Sequence, residues 1–226
     1  CAQWGLAKDE YTDNGHFPRQ VYVREGRRIE GEYLFTAHDS LPDASGRPPV
    51  HADSITASHY AIDSHAHRKR EPGRVHLDGF LSVPTKVYTV PLGVILPKNT
   101  ANVRAPVPVS APHLGFGTLR MEPCWMAMGQ AAGTLAAMAI QKRKPLRDVK
   151  VAELQARLLE QKAVLIYYRD VDAGHPAFAA VQVLGLRGVL RGYEVRPDAP
   201  VSAEDLASWT AALGVKPTME VRADTT

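Results

Sequence analysis

Apolar positions along the first hundred residues do not settle into one period. Residues 1–20 are polar and rich in turn formers. In "PRQVYVREGRRIEGEYLFTAHDS", Val21, Ile29 and Leu34 stand among charges at roughly helical spacing, which predicts a helix over residues 25–35. Residues 40–53, "SLPDASGRPPVHAD", form a loop by their Pro, Gly and Asp content. "SITASHYAIDSHAH" alternates and predicts a strand. "FLSVPTKVYTVPLGVIL" is rich in strand formers, and Pro84 and Pro91 fit edges and turns better than a central ladder. "ANVRAPVPVSA" reads as a further extended segment. A long helix follows over residues 123–141, with Pro123 in the first turn, where its missing N–H would be unpaired anyway. An amphipathic helix occupies residues 151–161. A change of composition near 163 opens a separate small unit, and the last ten residues fray. No repeat of fixed period and no low-complexity tract is present.

The long helix carries an unusual stripe. Gly129, Ala132, Gly133, Ala136 and Ala137 fall at i, i+3, i+4, i+7 and i+8, so one face is nearly bare of side chains. Glycine inside a helix costs about 1 kcal/mol against alanine, and close approach of a sheet, a helix or a flat ligand would justify two of them. Met126, Met128 and Met138 lie off the stripe and can fill irregular gaps. As a membrane span the run from Cys124 to Ile140 falls short of the ~20 residues required and contains Gln130. Core packing of a thin helix, and a helix whose positive end faces an anionic or electron-accepting group, both fit the spacing. Periodicity leaves these two open.

Composition narrows the class only slightly. The chain of 226 residues is 45% hydrophobic and 23% charged with a net charge of +3, which implies no strong field for nucleic acid or membrane. Two cysteines, Cys1 and Cys124, give neither a disulfide framework nor a metal spacing. Cys124 sits in the first turn of the long helix and reads as a small buried apolar residue. The opening "CAQWGLAKDE" has no secretory signal, and a start at Cys suggests part of a longer protein.

Candidate chemistry is scattered. Asp63-x-His65-x-His67 has the alternation by which a strand points two imidazoles to one side, as in the metal-binding strand of amidohydrolases. That fold needs a full (β/α) barrel of ~250 residues, which this pattern of elements lacks. A metal-dependent hydrolase is therefore the weakest reading. Arg24, Arg27 and Arg28 share the helix expected over 25–35, with Arg24 and Arg28 on one face. They either pair with Glu25, Glu30 and Glu32 or anchor an anion such as cofactor phosphates.

"GFGTLRMEPCWMAMGQAAGTLAAMAI" resembles the C-terminal signature of the FAD-dependent oxidoreductases. Arg120, Pro123, Met126, Gly129, Gln130, Ala131, Ala132, Gly133 and Thr134 match it in order, with Thr118 where serine is usual. The Arg-rich segment, "SITASHYAIDSHAH", and "YTVPLGVILPKNTANVRAPVPVSAPHLGFG" fit the same family, so the resemblance covers about residues 5–141. It implies FAD as cofactor and an α/β fold: the C-terminal part of an FAD-binding Rossmann-type flavoprotein, strands plus the long Ala/Gly helix. In that family the helix points its N-terminus at the flavin pyrimidine edge, where reduced flavin is negative. Gly117, Thr118, Arg120, Met121 and Glu122 would then contact the cofactor, with Arg24 and Arg28 as anchors. Glu122 serves equally well as a cap of its own helix. His65, His67 and His113 would carry protons beside a small-molecule substrate, a carbohydrate being one such class.

One family feature is missing. The ADP half of FAD is held by Gly-x-Gly-x-x-Gly after a strand. Here Gly115-Phe116-Gly117 is followed by Thr118, Leu119 and Arg120, and "GLRGVLRG" has the wrong spacing. The chain thus reads as a fragment lacking an N-terminal FAD-binding segment, so weak or no FAD binding is expected of it alone. A non-catalytic interaction or structural fragment is the alternative. The tail, "YYRDVDAGHPAFAAVQVLGLRGVLRGYEVRPDAPVSAEDLASWTAAL", resembles one S-layer-homology module, a small all-α unit. Its Ser202-Ala203-Glu204-Asp205 lacks the family's arginine, which weakens any cell-wall or polysaccharide contact. The domain limits expected are 1–145, a connecting helix 146–162, the module 163–216 and a tail 217–226.

Overall fold

A computed structural model describes residues 5–20, 24–64, 72–73 and 81–216. Cys1, Val21, His65, His67, His76, the basic run 68–70 and the tail 217–226 lie outside the described residues.

Among the described residues, four short strands form two antiparallel pairs. β1 (Ser54–Ser58) runs against β4 (Tyr88–Pro91), with Ala57 opposite Thr89 and a bulge between Ser54 and Thr56. β2 (Ile62–Ser64) runs against β3 (Leu81–Val83), with Asp63 opposite Ser82. No parallel pair occurs among the described residues, so the parallel sheet of a Rossmann unit is not formed by them. Pro84 and Pro91 sit just past β3 and at the end of β4, where no ladder donor is lost.

The helix expected over 25–35 is absent. That segment is extended and clasps the chain between 93 and 110. Ile29 N donates to Pro108 O, Glu32 N to Leu96 O, Tyr33 N to Gly93 O and Phe35 N to Ser110 O. Gly31 explains why. A Cβ there would stand 2.7 Å from both Gly93 O and Ser110 Cβ, so the two segments meet backbone to backbone. The burial pattern agrees, because Phe35 is fully buried while its neighbour Leu34 points outward.

Five α-helices follow among the described residues. α1 (His113–Leu119) is short, with Arg120 as its C-cap. Met121 is extended and turns the chain into α2 (Glu122–Lys142), within one residue of the sequence expectation at either end. Arg143, in the left-handed region at φ 51°, ends it. α3 (Val151–Glu160) buries Leu154, Leu158 and Leu159. Beyond residue 163 the described chain contains α4 (Phe178–Leu186) and α5 (Ala203–Leu213) and no strand. Ser202 caps α5 by accepting from Asp205 N at 3.0 Å. No helix among the described residues is long and apolar enough to cross a membrane.

α2 is rotated relative to the sequence expectation. Its buried face is Cys124, Met128, Ala131, Ala132, Leu135 and Ala139, turned toward β1 and α3. Gly129 and Gly133 meet nothing within 4 Å of where a Cβ would stand, and Ala137 is exposed. The two glycines of the stripe are open rather than pressed under a sheet, while its Ala132 is buried. The larger side chains have the apolar area to bury, and they decide which way the helix faces.

The core runs from Phe35 to Leu190 without a break at 163. Buried Gln182 of α4 accepts from Leu165 N (2.8 Å) and Ile166 N (2.9 Å) and donates to Ile166 O (2.7 Å), so its amide is spent tying α4 to the segment after α3. Tyr193 OH donates to Val87 O at 2.7 Å, and Arg47 donates to Gly192 O.

Candidate functional site

α1 packs on β2, and each end of α1 carries a polar cluster. Glycine makes the packing possible: a Cβ on Gly117 would lie 2.9 Å from Asp63 O, and one on Gly115 would lie 2.1 Å from Phe35 O.

At the C-terminal end of α1, Thr118 is fully buried. Its hydroxyl donates to Tyr60 O, and Tyr88 OH donates to Thr118 O at 2.9 Å. Thr85 Oγ1 also donates to Tyr60 O, at 2.8 Å. Arg120, only 6% exposed, forms an ion pair with Asp63, and its guanidinium carbon lies 5.7 Å from the centre of the Tyr60 ring. Its buried Nε finds no hydrogen-bond partner. Thr118 and Arg120 thus lie buried behind the wall of the site, joined to it through Tyr60 and held by Asp63 and Tyr88.

In front of that wall lies a cavity of about 370 Å³ at the leading end of α2. Ala57, Ser58, His59 and Tyr60 line it on one side, and Met121, Pro123 and Cys124 on the other. Met121 O accepts from Cys124 N (3.0 Å) and Trp125 N (3.2 Å), so these two donors are already used. Glu122 is exposed beside the cavity and makes no side-chain cap. Burial pushes the Cys124 thiol up to about 11, against a smaller opposing contact from Ser58. It is therefore a thiol at neutral pH and lines the floor as a small apolar residue. A second groove of about 440 Å³ adjoins the first through Ala57, Ser58 and His59 and extends to Ala127, Gln130 and Tyr167.

At the N-terminal end of α1, His113 Nδ1 lies 2.8 Å from Glu25 Oε2 and Nε2 lies 2.6 Å from Ser64 Oγ. Arg28 approaches the same Glu25 oxygen at 3.4 Å and stacks 4.9 Å from the centre of the Phe116 ring. Arg24 is exposed. The shared helical face expected for Arg24 and Arg28 does not exist, because the segment is not a helix. At 1.5 Å per residue the seven-position separation of His113 and Arg120 places the two clusters about 10 Å apart along α1.

His113 and Asp63 are therefore set in place, while His65 and His67 lie outside the described residues. Among the described residues no group of three or more His, Cys, Asp or Glu side chains is arranged to hold a metal, and Asp63 faces Arg120. Sequence reasoning overlooked Ala57–Tyr60, the cavity's second wall. They occupy the end of β1 and the turn into β2, and only the pairing of β1 with β4 brings them to α2. Ser64 was overlooked as well, its one signal being its position beside the His65-x-His67 pair.

Fold and site together describe a mixed helix-and-strand protein that presents the positive end of a long helix to a ligand-sized cavity. The family model described as FAD dependent oxidoreductase matches residues 2–158, and the chain belongs to that family. FAD is its cofactor. No curated protein and no solved structure matches the chain.

The residues present fit part of that cofactor. A cavity of about 370 Å³ lies at the low end of the ~300–1,000 Å³ of small-molecule pockets, sized for a ring system rather than a whole dinucleotide. Behind Tyr60, the buried Arg120 places a positive charge near that cavity, although it does not line it.

Proposed function

We propose that this chain is the ring-binding, substrate-facing part of an FAD-dependent oxidoreductase acting on a small organic molecule such as a carbohydrate. The observation that carries the reading is the cavity at the leading end of α2, framed by Met121, Pro123 and Cys124 from the family signature. Bound FAD would supply the two-electron donor or acceptor. The positive end of α2 favours a negative ring edge by about 0.3–1 kcal/mol, more where buried. Met121 and Tyr60 offer flat apolar contact. Arg120, fixed by Asp63, adds positive charge behind Tyr60 without having to reorganise. His113, and His65 and His67 with it, are assigned the substrate's protons, since imidazole titrates near neutrality.

The reading extends to the rest of the cofactor. No Gly-x-Gly-x-x-Gly occurs in the sequence and no parallel strand pair among the described residues, so neither supports an ADP site here. An N-terminal FAD-binding segment would supply the Rossmann-type half. The open stripe Gly129–Gly133 and exposed Met126 and Ile140 on α2 support a missing partner surface. Residues 163–216 would be the degenerate S-layer-homology-like module. Their shared core with α2 and α3 favours a structural or substrate-covering role over cell-wall binding.

The test is a dye-coupled assay of the full chain in excess FAD against a panel of sugars and simple alcohols. Substrate-dependent dye reduction that is lost in Arg120→Met is the expected result. Equal dye reduction with and without Arg120, or none with any substrate, would overturn the reading.

A further inference from the structure

We propose that Glu25, His113 and Ser64 form a directed proton relay, in which Glu25 is a positioning residue that fixes the tautomer of His113 and Ser64 is the hydroxyl through which the ring exchanges its proton. The inference rests on the reading of His113 as a proton carrier, and deepens it.

Donor and acceptor chemistry sets the direction. Glu25 Oε2 lies 2.8 Å from Nδ1 and also receives Arg28, at 3.4 Å. A carboxylate paired with a guanidinium only accepts, so Nδ1 must carry a hydrogen. The neutral ring then has its lone pair on Nε2. Ser64 Oγ, at 2.6 Å, is the group that donates to it. Both ring nitrogens are committed, so a proton enters the ring through Ser64. As the incoming proton binds Ser64 Oγ, the hydroxyl's own O–H bond breaks and an N–H bond forms at Nε2. The imidazolium charge is met by Glu25, whose side chain is only 5% exposed. The same order of carboxylate, imidazole and hydroxyl activates serine nucleophiles, but Ser64 is 1% exposed, which suits passing a proton rather than attacking a substrate. Ser64 ends β2 directly before His65 and His67 in the sequence.

Imidazole ¹⁵N NMR of the full chain, without cofactor, tests this apart from any activity. At alkaline pH, with the ring neutral, His113 should carry its proton on Nδ1, the minority tautomer of free histidine. Glu25→Ala should shift it toward the Nε2–H form while the other histidines keep their signals. Glu25→Asp should restore part of the bias. If Glu25→Ala fails to fold, Ser64→Ala gives an independent reading: Nε2 should move toward the resonance of an unbonded pyridine-type nitrogen. A wild-type proton on Nε2, or signals unmoved in the folded variants, would overturn the relay. Because no FAD is involved, a correct tautomer with no oxidoreductase activity would sink the functional reading and leave the relay standing.

Discussion

Arg120 concentrates more of the site's electrostatics than any other residue. Its guanidinium is almost wholly buried, pairs with Asp63 and leans over Tyr60. Removing one partner of a fully buried pair costs about 3–5 kcal/mol, but Asp63 is 22% exposed and keeps other contacts, so about 1–2 kcal/mol is expected here. Arg120→Met should lower the urea midpoint by that equivalent at neutral pH, and a loss under 1 kcal/mol would mean that solvent screens the pair. A second buried acid behaves differently. Burial disfavours the Asp39 carboxylate, but hydrogen bonds from His51, Tyr33 and Thr36 outweigh it and hold the group down at about 2. The unfolded value is about 3.9. Asp39 therefore contributes stability above about pH 4, of order 2 kcal/mol, and loses it as the pH falls toward 2. The stability difference between the wild type and Asp39→Asn should be full near pH 6 and shrink through that window. A difference independent of pH would remove Asp39 from the account. Burial, then Asp39, raises the phenol of Tyr33 above its usual range, which keeps it a donor throughout.

At the scale of elements, two glycine positions separate what packs from what does not. Gly115 of α1 touches the backbone of Phe35, and alanine there should cost at least about 3 kcal/mol, the upper range of overpacking. Gly133 of α2 faces open space. Gly133→Ala should stabilise the chain by up to about 1 kcal/mol through helix propensity alone. Thermal melts of the two variants check both signs, and a destabilising Gly133→Ala would mean that the stripe is covered after all. The spacing of small residues revealed the stripe, and the extent of α2 was legible because Pro123 and the run of strong helix formers mark it from within. Its orientation was not legible, since helical period fixes faces relative to one another and not to the core. The 25–35 segment was misread because Val21, Ile29 and Leu34 imitate a helical period. What decides its conformation is Gly31 lying against Gly93 and Ser110, residues 60 to 80 positions away. The family resemblance pointed to Pro123 and Met121, and Cys124 was legible only as a small buried apolar residue. The wall Ala57–Tyr60 depends on an antiparallel pairing that no local pattern announces.

For the molecule as a whole, one continuous core links the antiparallel strand pairs, α2 and α3, and the helices beyond 163. The family match ends at residue 158, yet Tyr193 and Arg47 bind the later segment onto the earlier one. Cofactor recognition divides the other way. On the proposed reading the ring takes the cavity at the leading end of α2, while the sequence carries no Gly-x-Gly-x-x-Gly for the ADP half. The most direct measurement is therefore a comparative titration of the isotope-labelled full chain with FAD and with lumiflavin, the ring alone, followed by backbone amide shifts. The account predicts similar weak affinities for the two, with shifts centred on Ala57–Tyr60 and Met121–Trp125. Tight stoichiometric binding of FAD far above that of lumiflavin, or shifts that bypass the leading end of α2, would contradict it.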